Sequence, residues 1–256
     1  DGTLVAREME VWLDAGAYAD DSPAVMNLVL FYARGSYSIP HVRALGHAVY
    51  TNKLRLGAFR GFGNPQASFA AESQLDEIAE KLGIDPIELR IKNAIKAGEQ
   101  WLGGQRITSC ALVESLEKVR AASDWTRRRE AAPGRKRGLG VAAMTHTSAF
   151  LSSGAIVRLQ GDGSIILNVG AVDIGQGSDT ALSQMCAAAL GLDIEQVSFA
   201  TPDTDSAPYN YGTNASRVTY TVGQAVHRAA MQVRAQLLEH AAAMLECSEG
   251  QLELRP

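Results

Sequence analysis

The residues best suited to bind a charged ligand lie in the segment 57–66, which reads Gly-Ala-Phe-Arg-Gly-Phe-Gly-Asn-Pro-Gln. Glycines on both sides of Phe62 allow positive φ or a close approach to a ligand, and they leave the ring free to stack on a flat molecule. Asn64 is expected to cap a helix that Pro65 opens, so Arg60 and a helix N-terminus would face an anionic cofactor together. The alternative is a tight strand-to-helix turn with a buried Phe62.

Two further loops place small and polar residues directly before a helix. The loop Asp173-Ile174-Gly175-Gln176-Gly177 precedes one apolar-periodic segment, and the polar, aromatic segment 202–216 precedes a longer one. If all three loops converge, their backbone N–H groups form a cradle for phosphate and a polar heterocycle, with Arg60 near Gln176. Neither glycine loop matches the dinucleotide fingerprint or the Gly-Lys-Ser/Thr of a P-loop.

Composition excludes several other partners and sites. The 256 residues are 46% hydrophobic and carry a net charge of −4 with both signs interspersed, which argues against nucleic acid or an anionic membrane as a partner. No segment has the length and apolar character of a signal peptide or a membrane span. Three distant cysteines without a Cys-x-x-Cys pair, and histidines without ligand spacing, exclude an iron–sulfur or zinc site built by this chain and indicate a reducing, cytoplasmic environment.

Apolar periodicity predicts an α+β fold in two consecutive parts, of which the first is 1–126. Its predicted strands are 3–13 and 42–50, and the apolar run 25–32 fits either a strand or a helix. Its predicted helices run from Pro65 to Gly83, from Pro86, capped by Asp85, to Gly98, and over 111–122.

The periodicity vanishes over the basic stretch 127–137, which is the predicted linker. The second part, 138–256, has predicted strands at 138–146, 154–160, 164–171 and 197–200, and predicted helices after Gly177 and over 217–246. The turn dipeptides Asp1-Gly2 and Glu249-Gly250 stand at the two ends, so we expect a part of a longer protein.

Taken together, these segments resemble the molybdenum-binding part of the xanthine dehydrogenase and aldehyde oxidase family. The matching segments are 58–66, 83–93, 173–180, 203–205 and 213–217. The resemblance covers nearly the whole chain and implies two consecutive, partial molybdopterin-binding domains built from mixed sheets packed with helices. It also implies a molybdenum–molybdopterin cofactor, as such or as its cytosine dinucleotide. The pterin dithiolene, and no protein side chain, would hold the metal.

The resemblance implies a role for each matching residue. Phe59, Arg60 and Gly61 would line the metal and the pterin, and the Gln176 amide, with Gly175 and Gly177 on either side, would lie beside the metal ligands. The backbone at Ala215 and Ser216 would meet the other side of the cofactor. Arg60 and Gln176 would be the catalytic side chains in this chain, and Phe62 would lie against the ring of the substrate.

Departures from the family pattern bear on activity. The family's catalytic glutamate lies in a Gly-Glu motif near the end of the full subunit, which we expect beyond residue 256, so the chain alone should be inactive. Before Tyr37-Ser38-Ile39-Pro40, Leu28 stands at the position of the arginine that binds purines, so Leu28 would contact a substrate other than xanthine. The arginine loop also lacks the cysteine of members that oxidise carbon monoxide.

The expected parent enzyme is therefore a molybdenum oxidoreductase that hydroxylates an aromatic N-heterocycle or an aldehyde. Its electrons would pass to iron–sulfur and FAD centres in partner domains or subunits. Two alternatives stay open: a 4-hydroxybenzoyl-CoA reductase-type enzyme with the same cofactor, and a non-catalytic scaffold domain.

Overall fold

The computed structural model describes residues 1–101, 103–126, 138–148 and 151–254. They divide into two compact units, Asp1–His146 and Thr147–Pro256, each described here by itself. Both units combine helices with a small sheet, so the predicted α+β class is confirmed. The linker predicted at 127–137 lies outside the described residues, and the predicted domain bounds stay a prediction.

The first unit begins with two parallel strands joined by a helix. Strand β1 (Ala6–Gly16) pairs with β2 (His41–Tyr50), Ala6 lying opposite His41, and α1 (Ser22–Tyr32) connects them. A parallel pair cannot be joined by a tight hairpin and needs a crossover. The apolar run that fitted either a strand or a helix is this crossover helix, which buries Val25 and Val29.

Three more helices follow, α2 (Asn64–Leu82), α3 (Pro86–Asn93) and α4 (Leu112–Ser123). As predicted, α2 stops at the left-handed Gly83, and the Asp85 side chain caps α3 by accepting from the backbone N–H groups of Ile87 and Glu88. The prediction that α3 continues to Gly98 was wrong. Asn93 uses its side chain to bind the backbone of Gly2 and Leu4, and the chain becomes extended directly after it. The same bonds hold residues 2–4 out of β1, which begins at Ala6 rather than residue 3.

A buried ion-pair network stabilises this unit. The Glu72 carboxylate, 6% exposed, accepts hydrogen bonds from Tyr37 Oη at 2.7 Å, Arg90 Nε at 2.8 Å and Ala143 N at 3.0 Å. Burial, and then the negative charge of Glu72, raise the pKa of the Tyr37 hydroxyl. The network also explains why the strand predicted at 138–146 was wrong: Ala143 N–H bonds a carboxylate and Thr145 C=O accepts from the Asn64 side chain, so these groups do not pair with a neighbouring strand.

The second unit is a three-stranded mixed sheet covered by two helices. Strands β3 (Ala155–Leu159) and β4 (Ile165–Val169) form the predicted hairpin, and β5 (Val197–Ala200) pairs with β4 in parallel. Helices α5 (Ser178–Leu190) and α6 (Gly223–Leu245) pack on the sheet. The core contains Ile165, Leu167 and Val169 of β4, Leu182, Cys186 and Leu190 of α5, and Val226 and Ala230 of α6.

The start of α6 differs from the prediction. The helix expected from Arg217 begins instead with a π-helical turn, Val218–Val222, and becomes regular only at Gly223. π-Helical turns are rare in proteins overall, but those that occur are often found at functional sites. The irregular segment lies directly after the third loop named by the sequence.

Candidate functional site

The arginine loop has an unusual backbone. Gly61, Phe62 and Gly63 have consecutive positive φ values of 94°, 47° and 92°. The turn is closed by hydrogen bonds from Phe62 N to Phe59 O at 2.8 Å and from Asn64 N to Gly61 O at 3.1 Å. A bulky residue in the left-handed region is uncommon, and such strained residues cluster at ligand sites.

This loop is placed by close contact with α1. A Cβ on Gly63 would lie 2.5 Å from the backbone O of Val25 and 2.9 Å from the backbone N of Val29, so only glycine allows the loop to lie this near the helix. The same helix carries Leu28, which is half-buried and packs against the cluster formed by Met26, Val29, Tyr32 and Ala67. The two residues predicted to contact the substrate, Leu28 and Phe62, therefore belong to segments that touch.

The side chains of the loop differ in exposure. Phe59 is 84% exposed, Arg60 is exposed, and Phe62 is half-buried. No carboxylate pairs with Arg60 within the ranges that the structure describes. The loop thus presents an aromatic face and an available cation, while Phe62 is not the fully buried residue of the alternative interpretation.

Asn64 is the first residue of α2 and not its cap, which is Gly63. Its buried side chain joins the arginine loop to the segment before residue 147. Asn64 Nδ2 donates to Thr145 O at 2.8 Å and lies 3.2 Å from His146 Nδ1, while Ser68 Oγ donates to Asn64 Oδ1 at 2.8 Å. Because a carbonyl oxygen only accepts, the Asn64 nitrogen must face both partners, and His146 Nδ1 must accept. The proton of the neutral imidazole is then on Nε2.

The loop Gly175–Gly177 is organised by one carboxylate. Asp173 Oδ1 accepts from Gly175 N at 2.7 Å and Gly177 N at 3.4 Å, and Oδ2 accepts from Asp179 N at 3.4 Å. The bond from Gly175 is the main reason why the pKa of Asp173 is lowered. A Cβ on either glycine would meet nothing within 4 Å, so the space over this loop is open to a ligand.

Gln176 turns its side-chain amide back toward its own loop. Its Oε1 accepts from Ile174 N at 2.7 Å, and its Nε2 donates to Ser178 Oγ at 2.9 Å and weakly to Val172 O at 3.4 Å. The Gln176 carbonyl oxygen is therefore occupied by Ile174 N, and the Nε2 proton that bonds weakly to Val172 O is the group that can donate to a ligand. The sequence identified Gln176 as a site residue, and the hydrogen bonds in the structure show how its amide is oriented.

One threonine joins the second loop to the third. Thr213 Oγ1 donates to Val172 O at 2.7 Å and accepts from Val172 N at 3.0 Å. Beside it, Ala215 and Ser216 both have positive φ, 50° and 53°, immediately before the π-helical turn. The second and third loops thus lie side by side within the second unit, while the convergence of all three loops stays a prediction. The third loop stores backbone strain at the two residues predicted to meet the cofactor.

Arg217 supports the third loop from beneath. Its guanidinium is fully buried and donates to Asn210 Oδ1, Gly212 O, Leu151 O, Ser152 O and Ser153 Oγ at 2.6–2.9 Å. Ser216, directly before it, borders an open cavity of about 680 Å³ whose far wall is formed by α6 residues such as Gln224 and His227. The loop that carries Ala215 and Ser216 therefore opens toward space that can accommodate a small molecule.

Models of the molybdopterin cofactor-binding domain match two stretches of the chain, residues 1–94 and 118–256. The chain belongs to the molybdopterin cofactor-binding family. All three loops fall within the matched residues.

Individual relatives point to one branch of this family. The chain is 37% identical over 270 residues to the xanthine dehydrogenase molybdenum-binding subunit of Escherichia coli O157:H7, an alignment that covers 99% of this chain and 35% of that subunit. It is 46% identical over 121 residues to the nicotinate dehydrogenase large molybdopterin subunit of Eubacterium barkeri, covering 47% of this chain and 28% of that subunit. Quinoline 2-oxidoreductase from Pseudomonas putida 86 has a similar structure, with a TM-score of 0.88 and 26% identity over 100% of this chain and 35% of that one.

The likeness to xanthine dehydrogenase and aldehyde oxidase predicted from the loops is confirmed. The chain spans about a third of the length of the curated relatives that it matches over nearly all its residues. Arg60 lies in the first unit and Gln176 in the second, so their predicted proximity stays a prediction, as do the individual roles of the site residues.

The chemistry of the donors fits a molybdopterin cofactor. Such a cofactor carries a phosphate and many hydrogen-bond acceptors, and the loops offer the Arg60 cation, the Gln176 amide and the Ser216 hydroxyl. Around Gln176, the two flanking glycines also leave open space. Across the described part of the chain, no three His, Cys, Asp or Glu side chains cluster as a metal site. None of the helices in the described ranges is long and apolar enough to cross a bilayer.

Sequence analysis assigned no role to four residues that position the site. Asp173 was detectable, because Asp before a glycine loop commonly accepts from its own backbone. Thr213, His146 and Arg217 carried no such signal, since their partners Val172, Asn64 and Leu151 are 41, 82 and 66 positions away. Their function depends on contacts that only the folded chain creates.

Proposed function

We propose that this chain is the cofactor-binding part of a molybdenum hydroxylase that oxidises a flat aromatic N-heterocycle or an aldehyde. The observation that carries the proposal is the Thr213 contact, which brings the Gln176 loop beside the strained Ala215–Ser216 turn in a chain of this family. The N-heterocycle is the favoured substrate class, because both nicotinate dehydrogenase and quinoline 2-oxidoreductase are named for such rings.

Each residue then has a definite task. When bound, the molybdenum–pterin group would supply the two-electron redox chemistry. Arg60 would bind an anionic part of the cofactor, and the weakly bonded N–H of Gln176 would donate to an acceptor near the metal, since its carbonyl oxygen is held by Ile174. Phe62 would stack on the ring of the substrate, and Leu28 would leave an apolar position where a cation would select a purine.

The parent enzyme would pass its electrons to iron–sulfur and FAD centres in partner domains or subunits, in the cytoplasm. We also propose that these 256 residues alone do not turn over substrate. The support is that the glutamate base implied by the family resemblance is not among the motifs matched in this chain. An essential base typically contributes about 10²–10⁴-fold in rate.

Two measurements test the proposal. Mass spectrometry of material released from the purified protein should find a pterin; its absence under conditions that load a known member of the family would favour the scaffold alternative. In the full enzyme, Phe62→Ala should weaken binding of a heteroaromatic substrate by about 1–3 kcal/mol, if ring stacking resembles base–aromatic stacking. The matched control is Phe69→Ala on α2, a phenylalanine outside the loop that is 78% exposed. Equal effects of the two changes on substrate binding would remove Phe62 from the substrate site.

A further inference from the structure

A second cavity in the same unit is lined by several side chains that can donate hydrogen bonds. It measures about 520 Å³ and lies between the segment 151–153 and one side of α6. Ser152 and Ser153 form one wall, and Gln224 and Arg228 form part of the other. It adjoins the larger cavity beside Ser216, because Tyr220 and Gln224 border both.

Beneath this cavity lies the positive charge of Arg217, and no carboxylate within the described ranges pairs with it. Arg217 is 0% exposed, and every group that it binds is neutral: an amide oxygen, a hydroxyl and three backbone carbonyls. Its Nε has no hydrogen-bond partner among the described residues. The other fully buried guanidinium, Arg90, has two carboxylates, Glu72 and Asp76, each at 2.8 Å. A buried charge is costly unless it is balanced, so Arg217 stands out.

The hydrogen bonds around Arg217 leave one proton directed elsewhere. Asn210 Oδ1 accepts from Gly212 N and Arg217 Nη1, which identifies the other end of the amide as nitrogen. That nitrogen donates to Ser153 Oγ at 3.2 Å, and Arg217 Nη2 donates to the same oxygen at 2.6 Å. Both lone pairs of Ser153 are thus in use, and its own O–H must donate. No acceptor for it occurs in the described ranges, and Ser153 lines the cavity.

Arg228 adds a second cation to the cavity wall. Its side chain is exposed, and within the described ranges no carboxylate pairs with it. Two exposed arginines of the first unit, Arg43 and Arg55, are paired with Glu8 and Asp20, whereas Arg228 resembles Arg60 in having no carboxylate partner in the described part of the chain. A hydroxyl polarised by a buried guanidinium and a free guanidinium opposite it form a site for an anion that accepts several hydrogen bonds.

We propose that this cavity binds a phosphate-bearing ligand. Arg228 and the Ser153 hydroxyl would contact the phosphate oxygens, and Arg217, which stays covered, would supply the compensating positive potential. The site lies within the second unit, and binding there does not depend on the redox reaction. The phosphate could belong to a freely diffusing ligand or to the cofactor itself, and the experiment separates these two sources.

Calorimetric titration with inorganic pyrophosphate tests the site on the full chain, prepared with and without cofactor. Pyrophosphate should bind the cofactor-free chain and raise its Tm, and Arg228→Ala should weaken binding by about 10- to 100-fold, the effect of losing charge-assisted hydrogen bonds. Arg158→Ala, which removes another exposed arginine of the same unit, should leave the affinity unchanged. Ser153→Ala should weaken binding as well, and its Tm without ligand shows whether the fold survives.

The outcomes are distinguishable. Binding to the cofactor-free chain alone would assign the site to the phosphate of the cofactor, whereas binding to both preparations would assign it to a separate ligand. No binding at millimolar pyrophosphate, or an equal loss in Arg158→Ala and Arg228→Ala, would overturn the proposal. If the chain takes up no pterin under conditions that load a known member of the family but still binds pyrophosphate through Arg228, the proposed function is refuted and this site stands.

Discussion

Replacing Glu72 by glutamine removes one negative charge from the buried network of the first unit and little else. The side chain keeps its size, so its oxygen can still accept from Arg90 Nε and Ala143 N, and the Tyr37 hydroxyl can turn to accept from the new amide. What is lost is the carboxylate facing a guanidinium that is 0% exposed. The change therefore isolates the ion pair.

The size of the effect follows from what remains around Arg90. Breaking a buried ion pair by removing one partner typically costs about 3–5 kcal/mol, because the other charge is left uncompensated. Asp76 Oδ1 still lies 2.8 Å from Arg90 Nη1, although this contact lacks hydrogen-bond geometry and Asp76 is 45% exposed. We therefore expect Glu72→Gln to lower the free energy of unfolding by about 3 kcal/mol, the low end of that range.

Tryptophan fluorescence during urea unfolding measures this loss selectively, because Trp12, Trp101 and Trp125 all lie in the first unit. The control is Glu77→Gln on the same helix, where an exposed carboxylate lies 4.0 Å from Lys81 and the change should cost no more than about 1 kcal/mol. A loss in Glu72→Gln no larger than that of the control would show that Arg90 is held by its backbone contacts and by Asp76, and the argument from charge would fail.

Three further predictions concern the loops and the thiols. Gly63→Ala should destabilise the first unit by at least about 2 kcal/mol, because the alanine would have a left-handed backbone and its Cβ would lie 2.5 Å from α1. Gly104→Ala, also at positive φ but in open space, should cost only the backbone strain of about 1–2 kcal/mol. Equal urea midpoints for the two variants would contradict this prediction. Because the pKa of Asp173 is lowered, its stabilising hydrogen bonds are fully present above about pH 3.9, the unfolded value, and are lost as the pH falls through the lower folded value. The amide NMR signals of residues 175 and 177 should therefore stay unchanged down to about pH 4 and move below it. Movement of these signals at a higher pH would refute the assignment. Thiol reagents at pH 8 should modify the exposed Cys110 and spare Cys186, because burial raises the pKa of Cys186 to about 11 and shields its sulfur, and equal labelling of the two in the folded protein would contradict the packing of α5.

Local signals in the sequence predicted the parts of the fold that depend on neighbouring residues. The stop of α2 at Gly83, the cap of α3 at Asp85 and the hairpin around Gly163 each rest on residues within a few positions of one another. The errors arose where distant partners take over the backbone. Asn93 ends α3 because it binds Gly2, and Glu72 takes the N–H that a strand at 143 would have used.

The candidate site shows the same division. The identity of Arg60, Phe62, Gln176 and Ser216 as loop residues could be read from glycine spacing and family likeness. The orientation of the Gln176 amide could not, because it depends on which backbone groups of the folded loop are free to pair. Neither could the proton position on His146, which is set by an amide 82 residues earlier in the chain.

The bond between Glu72 and the backbone of Ala143 also has a consequence for synthesis on the ribosome. Glu72 and Arg90 are synthesised early, but the last hydrogen-bond donor to Glu72 is the backbone N–H of Ala143, 53 positions after Arg90. At a translation rate of roughly 5–20 residues per second, the pair waits about 3–10 s before that residue has been added. During this interval the Glu72 carboxylate lacks the hydrogen bond from Ala143 N. A nascent chain arrested before residue 143 therefore exposes an incompletely packed first unit to chaperones and proteases.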